Sequence, residues 1–307
     1  MAPEAAVRFP ERLRPGDTVA LVAPAGPVSA ERVEGAVALL SARGLRVRVR
    51  EDITARRGYL AGSDRRRAEE LRDALADPGV RAVFLARGGY GTQRILAGAL
   101  PDAGVAPKPV IGFSDNTALL NALRRELGWA VVHGPHPRNE RPEELDRVLA
   151  CLGYWGEPER PFFDGLSLLS PRRTAAVEGE VAGGCLSLVT SSIGTPYALD
   201  CAGKILFLED VGEPAYRLDR MLLHLRASGA SEAAAAVVFG CPEEFGPEDQ
   251  AGEVAELLAE FASAAAVPVL SGLACGHGKK NQPLLLGPRA RLEPAAGTLT
   301  FLEAAVQ

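Results

Sequence analysis

The sequence of 307 residues predicts an α/β protein whose first half folds as a doubly wound parallel sheet with helices on both faces. Strand-like and helix-like segments alternate five times in this half, a pattern typical of parallel strands joined by crossover helices. In the second half the alternation is lost, which predicts a separate domain of mixed α/β structure. We expect an N-terminal domain over residues 1–155, a linker over 156–172 and a C-terminal domain over 173–307.

Short apolar runs and recognisable helix ends define the elements of the first half. The first predicted strand lies in residues 18–26, which are rich in β-branched side chains and end in Pro and Gly. The helix after it, in residues 29–44, has Ser29 as its N-cap and Gly44 as its stop. The same alternation continues through RVRVR, SDRRRAEELRDALADPG, RAVFLARGG, QRILAGAL, PVIGFSD, TALLNALRRELG, WAVVHGP and PEELDRVLACLG.

Proline and glycine interrupt this pattern over residues 154–175, which is typical of a linker or crossover. Beyond it, we expect a hairpin around Gly297 in the segment ARLEPAAGTLTFLE. The other segments predicted as strands are AAVEGEVAG, KILFLED, AAVVFG and VPVLSGL, and the predicted helices are AYRLDRMLLHLRASG and EDQAGEVAELLAEFASAA.

Composition and charge exclude several classes of function. A formal net charge of −5 provides no basic surface, so we expect no nucleic-acid partner. No apolar run approaches the roughly 20 residues of a membrane helix, and the first residues carry acids and prolines where a signal peptide would be apolar. The five cysteines are odd in number and contain no CxxC pair, which is typical of a reducing compartment. These observations predict a cytoplasmic protein that does not contact a membrane.

A glycine-rich turn follows the predicted strand RAVFLA. Gly88, Gly89 and Gly91 allow positive φ and a close approach of the backbone to a ligand, and the N–H groups of such a turn can hold an anion. The third glycine of a dinucleotide fingerprint is missing and no P-loop motif occurs, so we expect no cofactor. The turn is therefore either a plain tight turn or a cradle for an oxyanion or carboxylate.

Ser114 ends the next predicted strand, in the stretch VIGFSDNTALL. Ser and Asn are common helix N-caps, so Ser114, or Asn116 with Thr117, could simply start the following helix. Alternatively, Ser114 is a nucleophile on a strand-to-helix elbow, above a helix N-terminus that favours negative charge. The last position of the GxSxG elbow motif is Asn116 rather than glycine, so the local sequence leaves both interpretations open.

A nucleophilic serine needs a base, and the chain has only four histidines. His224 lies in a predicted helix. His133 and His136 could be metal ligands, but no third ligand with recognisable spacing accompanies them, and we expect no metal site. His277 lies in a glycine-flanked loop after a predicted strand, where its imidazole can be presented to a substrate.

A histidine base needs an acid to fix its tautomer. The strand end LFLEDVGE offers Glu209, Asp210 and Glu213. A buried acid is costly unless it is paired, which favours Glu209 or Asp210 over the more loop-like Glu213. The serine would lie in the first domain and its partners in the second, so the sequence predicts an active site in an interdomain cleft.

Together these segments resemble the LD-carboxypeptidase family (muramoyltetrapeptide carboxypeptidases), which also includes the self-immunity proteins that cleave microcin C and related aminoacyl-nucleotide toxins. The resemblance covers nearly the whole chain and implies a flavodoxin-like N-terminal domain, a smaller β-rich C-terminal domain and a homodimer. It depends on the motifs VALVAPAGPV, GYLAGSDRRRAEEL, ARGGYGTQRIL, IGFSDNTALL, HGP, AGGCLSLVTSSIGTPY, LFLEDVGEPAYRLDRMLLHL and CGHGKKN.

The resemblance also implies a serine peptidase with a Ser-Glu-His triad. Matched motif by motif, Ser114 is the nucleophile, Glu209 the acid and His277 the general base. The backbone N–H groups of Gly89 and Asp115 match the oxyanion hole of the family. The implied substrate is the murein tetrapeptide, from which the terminal D-alanine is removed at an L,D bond during cell-wall recycling.

Two further positions bear on the substrate. Arg87, beside the turn Gly88-Gly89, is a candidate for binding the carboxylate of the leaving residue, and a structural ion pair would explain it equally well. Many family members have an asparagine after the paired glycines of the second domain, where this chain has Cys185. We expect Cys185 to be a small buried residue rather than a second nucleophile, so the departure bears on specificity and not on the triad.

Two other functions are compatible with these residues. The same triad could hydrolyse an aminoacyl-nucleotide toxin, which calls for an aromatic shelf for the base. Trp155, Phe162 and Phe163 lie in the linker but form no clear stacking motif. A non-catalytic module could instead use the glycine turn to hold an anion.

Overall fold

The structure, a computed structural model, describes residues 5–307. The strands of these residues are β1 (Thr18–Val22), β2 (Arg46–Val49), β3 (Ala82–Leu85), β4 (Val110–Gly112), β5 (Val131–His133), β6 (Phe162–Phe163), β7 (Ser167–Leu168), β8 (Val177–Cys185), β9 (Ile205–Glu209), β10 (Ala236–Gly240), β11 (Val269–Leu273), β12 (Leu284–Leu286), β13 (Arg289–Glu293) and β14 (Thr298–Phe301). The α-helices are α1 (Ala30–Ser41), α2 (Asp64–Ala76), α3 (Leu96–Ala99), α4 (Thr117–Leu127), α5 (Pro142–Cys151), α6 (Leu186–Ser192), α7 (Ala215–Ala227), α8 (Ala230–Ala233), α9 (Pro242–Phe245) and α10 (Ala251–Ala264). Short 3₁₀-helices occupy Thr92–Arg94, Ser114–Asn116 and Glu248–Gln250.

A sheet in the order β2-β1-β3-β4-β5-β12 forms the centre of the first half of the chain. β1 pairs in parallel with both β2 and β3, and the pairs β3–β4 and β4–β5 are parallel as well. β1 and β3 are buried along nearly all of their length, as expected of strands that helices cover on both faces. The order 2-1-3-4-5 is that of a flavodoxin-like doubly wound sheet, which confirms the fold class predicted for this half.

A serine and two glycines lie at the ends of α1 and α4, and Ser29 and Gly44 are the two that the sequence predicts. The Oγ of Ser29 accepts a hydrogen bond from the N–H of Arg32 at 3.2 Å and so caps α1. Gly44, just beyond α1, has a φ of +81°. Gly128 ends α4 in the left-handed conformation, with a φ of +72°.

The second half contains an eight-stranded mixed sheet in the order β6-β14-β13-β8-β9-β10-β11-β7. Its centre, from β8 to β11, is parallel, and the outer strands pair antiparallel. Leu186 of α6, Leu222 of α7 and Phe261 of α10 pack with Leu206 of β9 and Phe239 of β10 in one apolar core. This arrangement confirms the mixed α/β class predicted for the second half.

A turn and the expected linker shape the edges of this second sheet. β13 and β14 form the hairpin predicted around Gly297. The φ of Gly297 is +65°, and a Cβ atom there would lie 2.4 Å from the carbonyl oxygen of Leu166, so only glycine fits. Residues 154–175, expected as a linker, contain β6 and β7, which pair with β14 and β11. This segment therefore supplies both end strands of the sheet.

Contacts between residues divide the chain into two compact units. The first unit comprises residues up to 159 together with Pro283–Leu285 and Ala304–Gln307, and the second comprises Arg160–Gln282 and Leu286–Glu303. The chain therefore returns to the first unit twice after leaving it. Over residues 5–307, no helix combines the length and the apolar character that crossing a membrane requires.

Candidate active site

Ser114 lies at a sharp bend between β4, which ends at Gly112, and α4, which starts at Thr117. Its φ is +64°, and it is the only non-glycine residue with a positive φ in the described part of the chain. A side chain in this left-handed conformation costs roughly 1–2 kcal/mol, and such strain is concentrated at functional sites. The bend has the form of the strand-to-helix elbow that exposes the nucleophile of many hydrolases.

The glycine turn after β3 packs directly against this elbow. A Cβ atom on Gly88 would lie 2.7 Å from the Cβ of Ser114 and 2.8 Å from its Oγ, so only glycine fits at this position. The same Cβ would lie 3.4 Å from the backbone nitrogen of Asp115. Gly89, with a φ of +112°, packs on the backbone of Gly26. The turn and the elbow therefore form one cluster of backbone groups.

The buried side chain of Asn116 connects the elbow to the turn. Its Nδ2 donates to the carbonyl oxygens of Phe113, at 3.1 Å, and Arg87, at 3.2 Å. These carbonyls immediately precede Ser114 and Gly88 in the chain. Asn116 occupies the N-cap position of α4, which starts at Thr117 as expected, but its side chain makes no capping hydrogen bond. The amide is instead used to hold two strand ends together.

His136 completes this network. Its Nε2 lies 3.2 Å from the Nδ2 of Asn116. The rings of His133 and His136 pack on Phe113 with centroid distances of 6.2 and 4.5 Å. Residues 5–307 contain no group of three or more histidine, cysteine or acidic side chains placed to hold a metal ion. His136 thus packs beside the amide that supports the elbow.

The buried carboxylate of Asp115 ties the elbow to the segment that follows the glycine turn. Its Oδ2 accepts a hydrogen bond from the N–H of Thr92 at 2.8 Å. Thr92 begins the short 3₁₀-helix after the turn. The side chain of Asp115 therefore fixes the loop after β3, a role that the sequence did not indicate.

Charged side chains of α2 hold the loops that follow β1 and β3. The guanidinium of Arg67, which is fully buried, donates to the carbonyl oxygens of Pro24 and Gly91, the latter at 2.8 Å. Glu70 pairs with Arg66 at 2.7 Å and accepts a backbone N–H from the loop after β1. Burial raises the pKa of Glu70, and the charge of Arg66 opposes this effect. The sequence predicted only a polar-faced helix here, and its arginine and glutamate residues spaced three to four apart were the available signal.

Arg87 borders an open cavity of about 600 Å³ beside the glycine turn. The lining residues are Gly26, Pro27, Tyr59, Arg87, Gly89 and Tyr90. The Nη1 of Arg87 donates to the carbonyl oxygen of Pro27 at 2.9 Å. No carboxylate forms an ion pair with Arg87 within residues 5–307, so the structural ion pair considered for it is not formed there.

In the second unit, His277 and Glu209 form a hydrogen-bonded pair. Glu209 is the last residue of β9, and His277 lies in the loop after β11. The Nδ1 of His277 lies 2.7 Å from the Oε2 of Glu209, and the backbone N–H of His277 donates to the same oxygen at 3.1 Å. Glu209 is 2% exposed, whereas the His277 side chain is 18% exposed. A buried carboxylate that orients a partly exposed imidazole is the arrangement of a catalytic acid–base pair.

Burial and charge act in opposite directions on the pKa of His277. Burial lowers this pKa, while the hydrogen bond and the negative charge of Glu209, together with Asp210 and Glu244, raise it. The net pKa lies above the ordinary value for histidine. The site therefore stabilises the imidazolium, which favours the uptake of a proton by His277.

The contact between His277 and Glu209 requires glycine at position 276. Gly276 has a φ of +106°, and a Cβ atom there would lie 2.4 Å from the Oε2 of Glu209. The N–H of Gly276 donates to the Oδ1 of the buried Asn281 at 3.0 Å. Asn281 is part of the motif CGHGKKN, but only the structure shows that it fixes the loop that carries His277.

Asp210, the alternative acid, is engaged elsewhere. Its carboxylate accepts hydrogen bonds from the N–H groups of Ser187, at 2.8 Å, and Val211, at 2.9 Å. Cys185 lies opposite Glu209 in the β8–β9 register and is buried, as expected. Burial, followed by the charges of Asp210 and Glu209, raises the pKa of this thiol well above its usual range. The thiol therefore stays protonated at neutral pH, which makes it a poor nucleophile.

The structure places the predicted site residues in two groups, each within one unit. The first unit contains Arg87, Gly88, Gly89, Ser114 and Asp115, and the second contains Glu209 and His277. Within each unit these residues follow parallel strands, whose carboxyl ends meet at the same edge of a sheet.

Two family models match the chain. One is described as the LD-carboxypeptidase N-terminal domain and matches residues 19–134. The other is described as the LD-carboxypeptidase C-terminal domain and matches residues 178–292. The fold and these matches define the class of the protein as a hydrolase of the peptidase type.

Similar proteins specify the family. A Bacillus subtilis (strain 168) protein named probable murein peptide carboxypeptidase is 33% identical over 305 residues, covering 97% of this chain and 95% of that protein. The murein tetrapeptide carboxypeptidase of Pseudomonas aeruginosa is 33% identical over 291 residues, covering 90% of this chain and 92% of that protein. The chain belongs to the LD-carboxypeptidase family.

A solved structure and a more distant relative agree with this assignment. The crystal structure of muramoyltetrapeptide carboxypeptidase from Oxalobacter formigenes matches with a TM-score of 0.78 and 29% identity, covering 92% of this chain and 97% of that chain. The microcin C7 self-immunity protein MccF of Escherichia coli is 25% identical over 313 residues, covering 91% of each chain. The predicted resemblance to this family is therefore confirmed.

Proposed function

We propose that this chain is a serine-type LD-carboxypeptidase that releases the terminal D-alanine of murein tetrapeptide during cell-wall recycling. The observation that carries the proposal is the strained φ of Ser114, at an elbow packed against a glycine turn. The hydrogen-bonded pair of His277 and Glu209 supports the assignment of base and acid. The relatives named for murein peptide and murein tetrapeptide support the substrate class.

In the proposed acylation step, the Oγ of Ser114 attacks the carbonyl carbon of the scissile L,D bond. His277 takes the hydroxyl proton at Nε2, because its Nδ1 is engaged by Glu209. The tetrahedral intermediate collapses when His277 returns this proton to the amide nitrogen, and D-alanine leaves as the free amine. General acid–base catalysis of this kind typically contributes about 10²–10⁴-fold to the rate.

In the proposed deacylation step, water replaces D-alanine opposite the acyl-enzyme. His277 accepts a proton from this water, and the resulting hydroxide attacks the ester carbonyl carbon. The proton then returns to the Oγ of Ser114, and the shortened peptide leaves with a new carboxylate. Glu209 keeps the imidazole in one tautomer through both steps.

The proposed oxyanion hole consists of the backbone N–H groups of Gly89 and Asp115, with Gly88 allowing the close contact to Ser114. Removal of one oxyanion donor typically costs about 10²–10³ in rate. A carboxypeptidase also has to bind the free carboxylate of its leaving residue. We assign this role to Arg87, which carries no ion pair within residues 5–307.

The proposal is tested by release of D-alanine from murein tetrapeptide and by labelling with a fluorophosphonate probe. Wild-type protein should release D-alanine and be labelled at Ser114, and Ser114→Ala should abolish both. Ser263→Ala is a matched control, because Ser263 is an exposed serine of α10 in the second unit. Full release of D-alanine by Ser114→Ala would refute the mechanism.

A second candidate function is hydrolysis of an aminoacyl-nucleotide toxin by the same triad. The similarity to the microcin C7 self-immunity protein supports this second function. The exposed tyrosines Tyr59 and Tyr90, whose rings contact each other, are candidates for the aromatic shelf that such a substrate calls for. Parallel kinetics with tetrapeptide and aminoacyl sulfamoyl adenosine distinguish the two, since the better substrate has the higher kcat/KM.

A remote alternative is a non-catalytic module that holds an anion in the glycine turn, and absence of probe labelling on folded protein would favour it. The proposal also includes a cytoplasmic location, which composition and cysteine usage predict, and a homodimer, which the family resemblance implies. Cell fractionation tests the first and light scattering of the purified chain tests the second.

A further inference from the structure

The open cavity beside the glycine turn is larger than the release of D-alanine requires. Its volume of about 600 Å³ lies in the roughly 300–1,000 Å³ range of cavities that bind drug-sized ligands. Alanine needs room only for a methyl group and a carboxylate. Gly26 and Gly89 line the cavity, and the N–H of Gly26 donates to the carbonyl oxygen of Gly88 at 3.1 Å. The cavity therefore begins one residue from the contact between Gly88 and Ser114.

Arg87 supplies one positive charge to this cavity. Its guanidinium is oriented by the carbonyl oxygen of Pro27, and no carboxylate of residues 5–307 neutralises it. Burial lowers the pKa of the nearby Arg32, the positive charges of Arg87 and Arg138 lower it further, and the charge of Glu140 opposes them. In a peptide substrate, only the amide nitrogen and the α-carbon separate the scissile carbonyl from the carboxylate of the leaving residue. That carboxylate therefore lies close to the oxyanion site, and Arg87 directly precedes the glycine turn.

Tyr59 and Tyr90 form an aromatic wall on the same cavity. Their ring centroids are 5.6 Å apart with an interplanar angle of 68°, and the residues are 65% and 49% exposed. Apolar surface that a ligand removes from water contributes about 25 cal/mol per Å². These rings would therefore bind an apolar side chain of the residue whose carboxylate Arg87 binds.

We propose that this cavity is the subsite for the leaving residue, in which Arg87 binds the carboxylate and the two tyrosines bind an apolar or aromatic D-side chain. The inference rests on the proposed function and extends its substrate class to tetrapeptides that end in D-leucine or D-phenylalanine. The bond broken is the same L,D amide bond. Water supplies the hydroxyl to the carbonyl carbon and a proton to the amine of the leaving D-amino acid.

Tetrapeptides that differ only in the fourth residue test this subsite kinetically. Wild-type kcat/KM for the D-phenylalanine peptide should lie within about tenfold of that for the D-alanine peptide. The double variant Tyr59→Ala/Tyr90→Ala should lower the ratio of kcat/KM for the D-phenylalanine peptide to kcat/KM for the D-alanine peptide about tenfold or more. Apolar contacts discriminate by roughly 10–200-fold. Tyr216→Ala, at an exposed tyrosine of α7, is the matched control and should leave the ratio unchanged. A wild-type preference for D-alanine above about tenfold, or a ratio that the double variant leaves unchanged, overturns the subsite.

A binding measurement separates failure of the subsite from failure of the proposed function. With the Ser114→Ala chain, calorimetry should give a lower Kd for the D-phenylalanine peptide than for the D-alanine peptide, and adding Tyr59→Ala and Tyr90→Ala should remove the difference. Equal Kd values with and without the tyrosines refute the subsite even if D-alanine is released. If wild type releases nothing while the difference in Kd is seen, the peptidase function is refuted, and only the binding of an apolar D-residue in this cavity stands. Arg87→Gln should raise the Kd of both peptides but not the Kd of the same peptides with a C-terminal carboxamide. An equal rise in Kd for the free acids and the carboxamides would contradict the role of Arg87.

Discussion

Replacing Asn116 by alanine tests whether the elbow depends on the amide that joins two strand ends. The variant removes the donor of the hydrogen bonds to the carbonyl oxygens of Phe113 and Arg87 and the partner of His136. A buried polar group that loses its partner costs about 1–3 kcal/mol. Because these groups surround a fully buried side chain, we expect the free energy of unfolding to fall by about 2–4 kcal/mol. Domains are typically stable by about 5–15 kcal/mol, so the variant should still fold.

The same substitution should lower kcat while KM changes little. Phe113 and Arg87 directly precede Ser114 and Gly88, so the freed carbonyls would loosen the nucleophile and the turn together. Loss of one oxyanion donor costs about 10²–10³ in rate, and we therefore expect about a hundredfold loss of kcat with KM within about threefold. Steady-state release of D-alanine and chemical denaturation of the same preparation measure the two effects.

Asn121→Ala is the matched control, because Asn121 is a buried asparagine further along the same helix. Its Nδ2 donates to the carbonyl oxygen of Thr117 at 3.0 Å, within α4. A loss of stability is expected there, with kcat within about threefold of wild type. An unchanged kcat in Asn116→Ala, or an equal loss in both variants, would show that the amide does not align the elbow.

The second group of site residues and one buried lysine give three further predictions. Glu209→Gln should lower kcat by roughly 10²–10⁴-fold. It should also move the acid limb of the pH profile of kcat/KM to lower pH, because Glu209 raises the pKa of His277. An acid limb at the same pH in both proteins would contradict the pairing. Because the pKa of His277 is raised in the folded protein, its pairing with Glu209 stabilises the fold fully below pH 6.5, and this contribution is lost as the pH rises through the folded pKa. Denaturation of wild type and Glu209→Gln at several pH values measures this loss. Gly276→Ala should displace the carboxylate of Glu209 and lower kcat about hundredfold, whereas Gly229→Ala, with a φ of +77° and open space around it, should leave kcat unchanged; similar kcat values for the two contradict the steric argument. Burial lowers the pKa of Lys108 to about 8, so the unfolded chain holds this proton to higher pH and the stability of wild type relative to Lys108→Met should rise between about pH 8 and 10; a constant difference contradicts the shift.

The doubly wound sheet could be predicted because its chemistry is local. β1 and β3 are buried on both faces, so each appears in the sequence as a continuous apolar run ending in glycine or proline. Ser29 and Gly128 set helix ends through contacts with residues only a few positions away. The short strands β6 and β7 were missed, because they are two residues long and are held by pairing with distant strands.

The candidate site could be predicted only in part, because several of its supports are long-range contacts. Residues at strand ends, such as Gly88 and Ser114, are visible in the sequence because parallel strands bring their carboxyl ends to one edge. Arg67 is not visible in this way, since its partner Gly91 lies 24 positions away and the helix carries other charges that stay at the surface. The choice between a helix cap and an elbow at Ser114 also depended on a backbone angle that residue types alone do not determine.

The strain at Ser114 persists because three neighbours each hold a different part of the bend. The left-handed conformation costs roughly 1–2 kcal/mol. Three kinds of contact offset this cost: the hydrogen bonds of Asn116, the hydrogen bond from Thr92 to Asp115 and the packing of Gly88. Each of these hydrogen bonds contributes on the order of 1 kcal/mol. These contacts start from different segments of the chain, so the bend cannot relax without moving the strand ends that carry the proposed oxyanion donors. The same contacts thus maintain both the strained serine and the donor geometry, and for this reason we expect the loss of Asn116 to reduce stability and rate together.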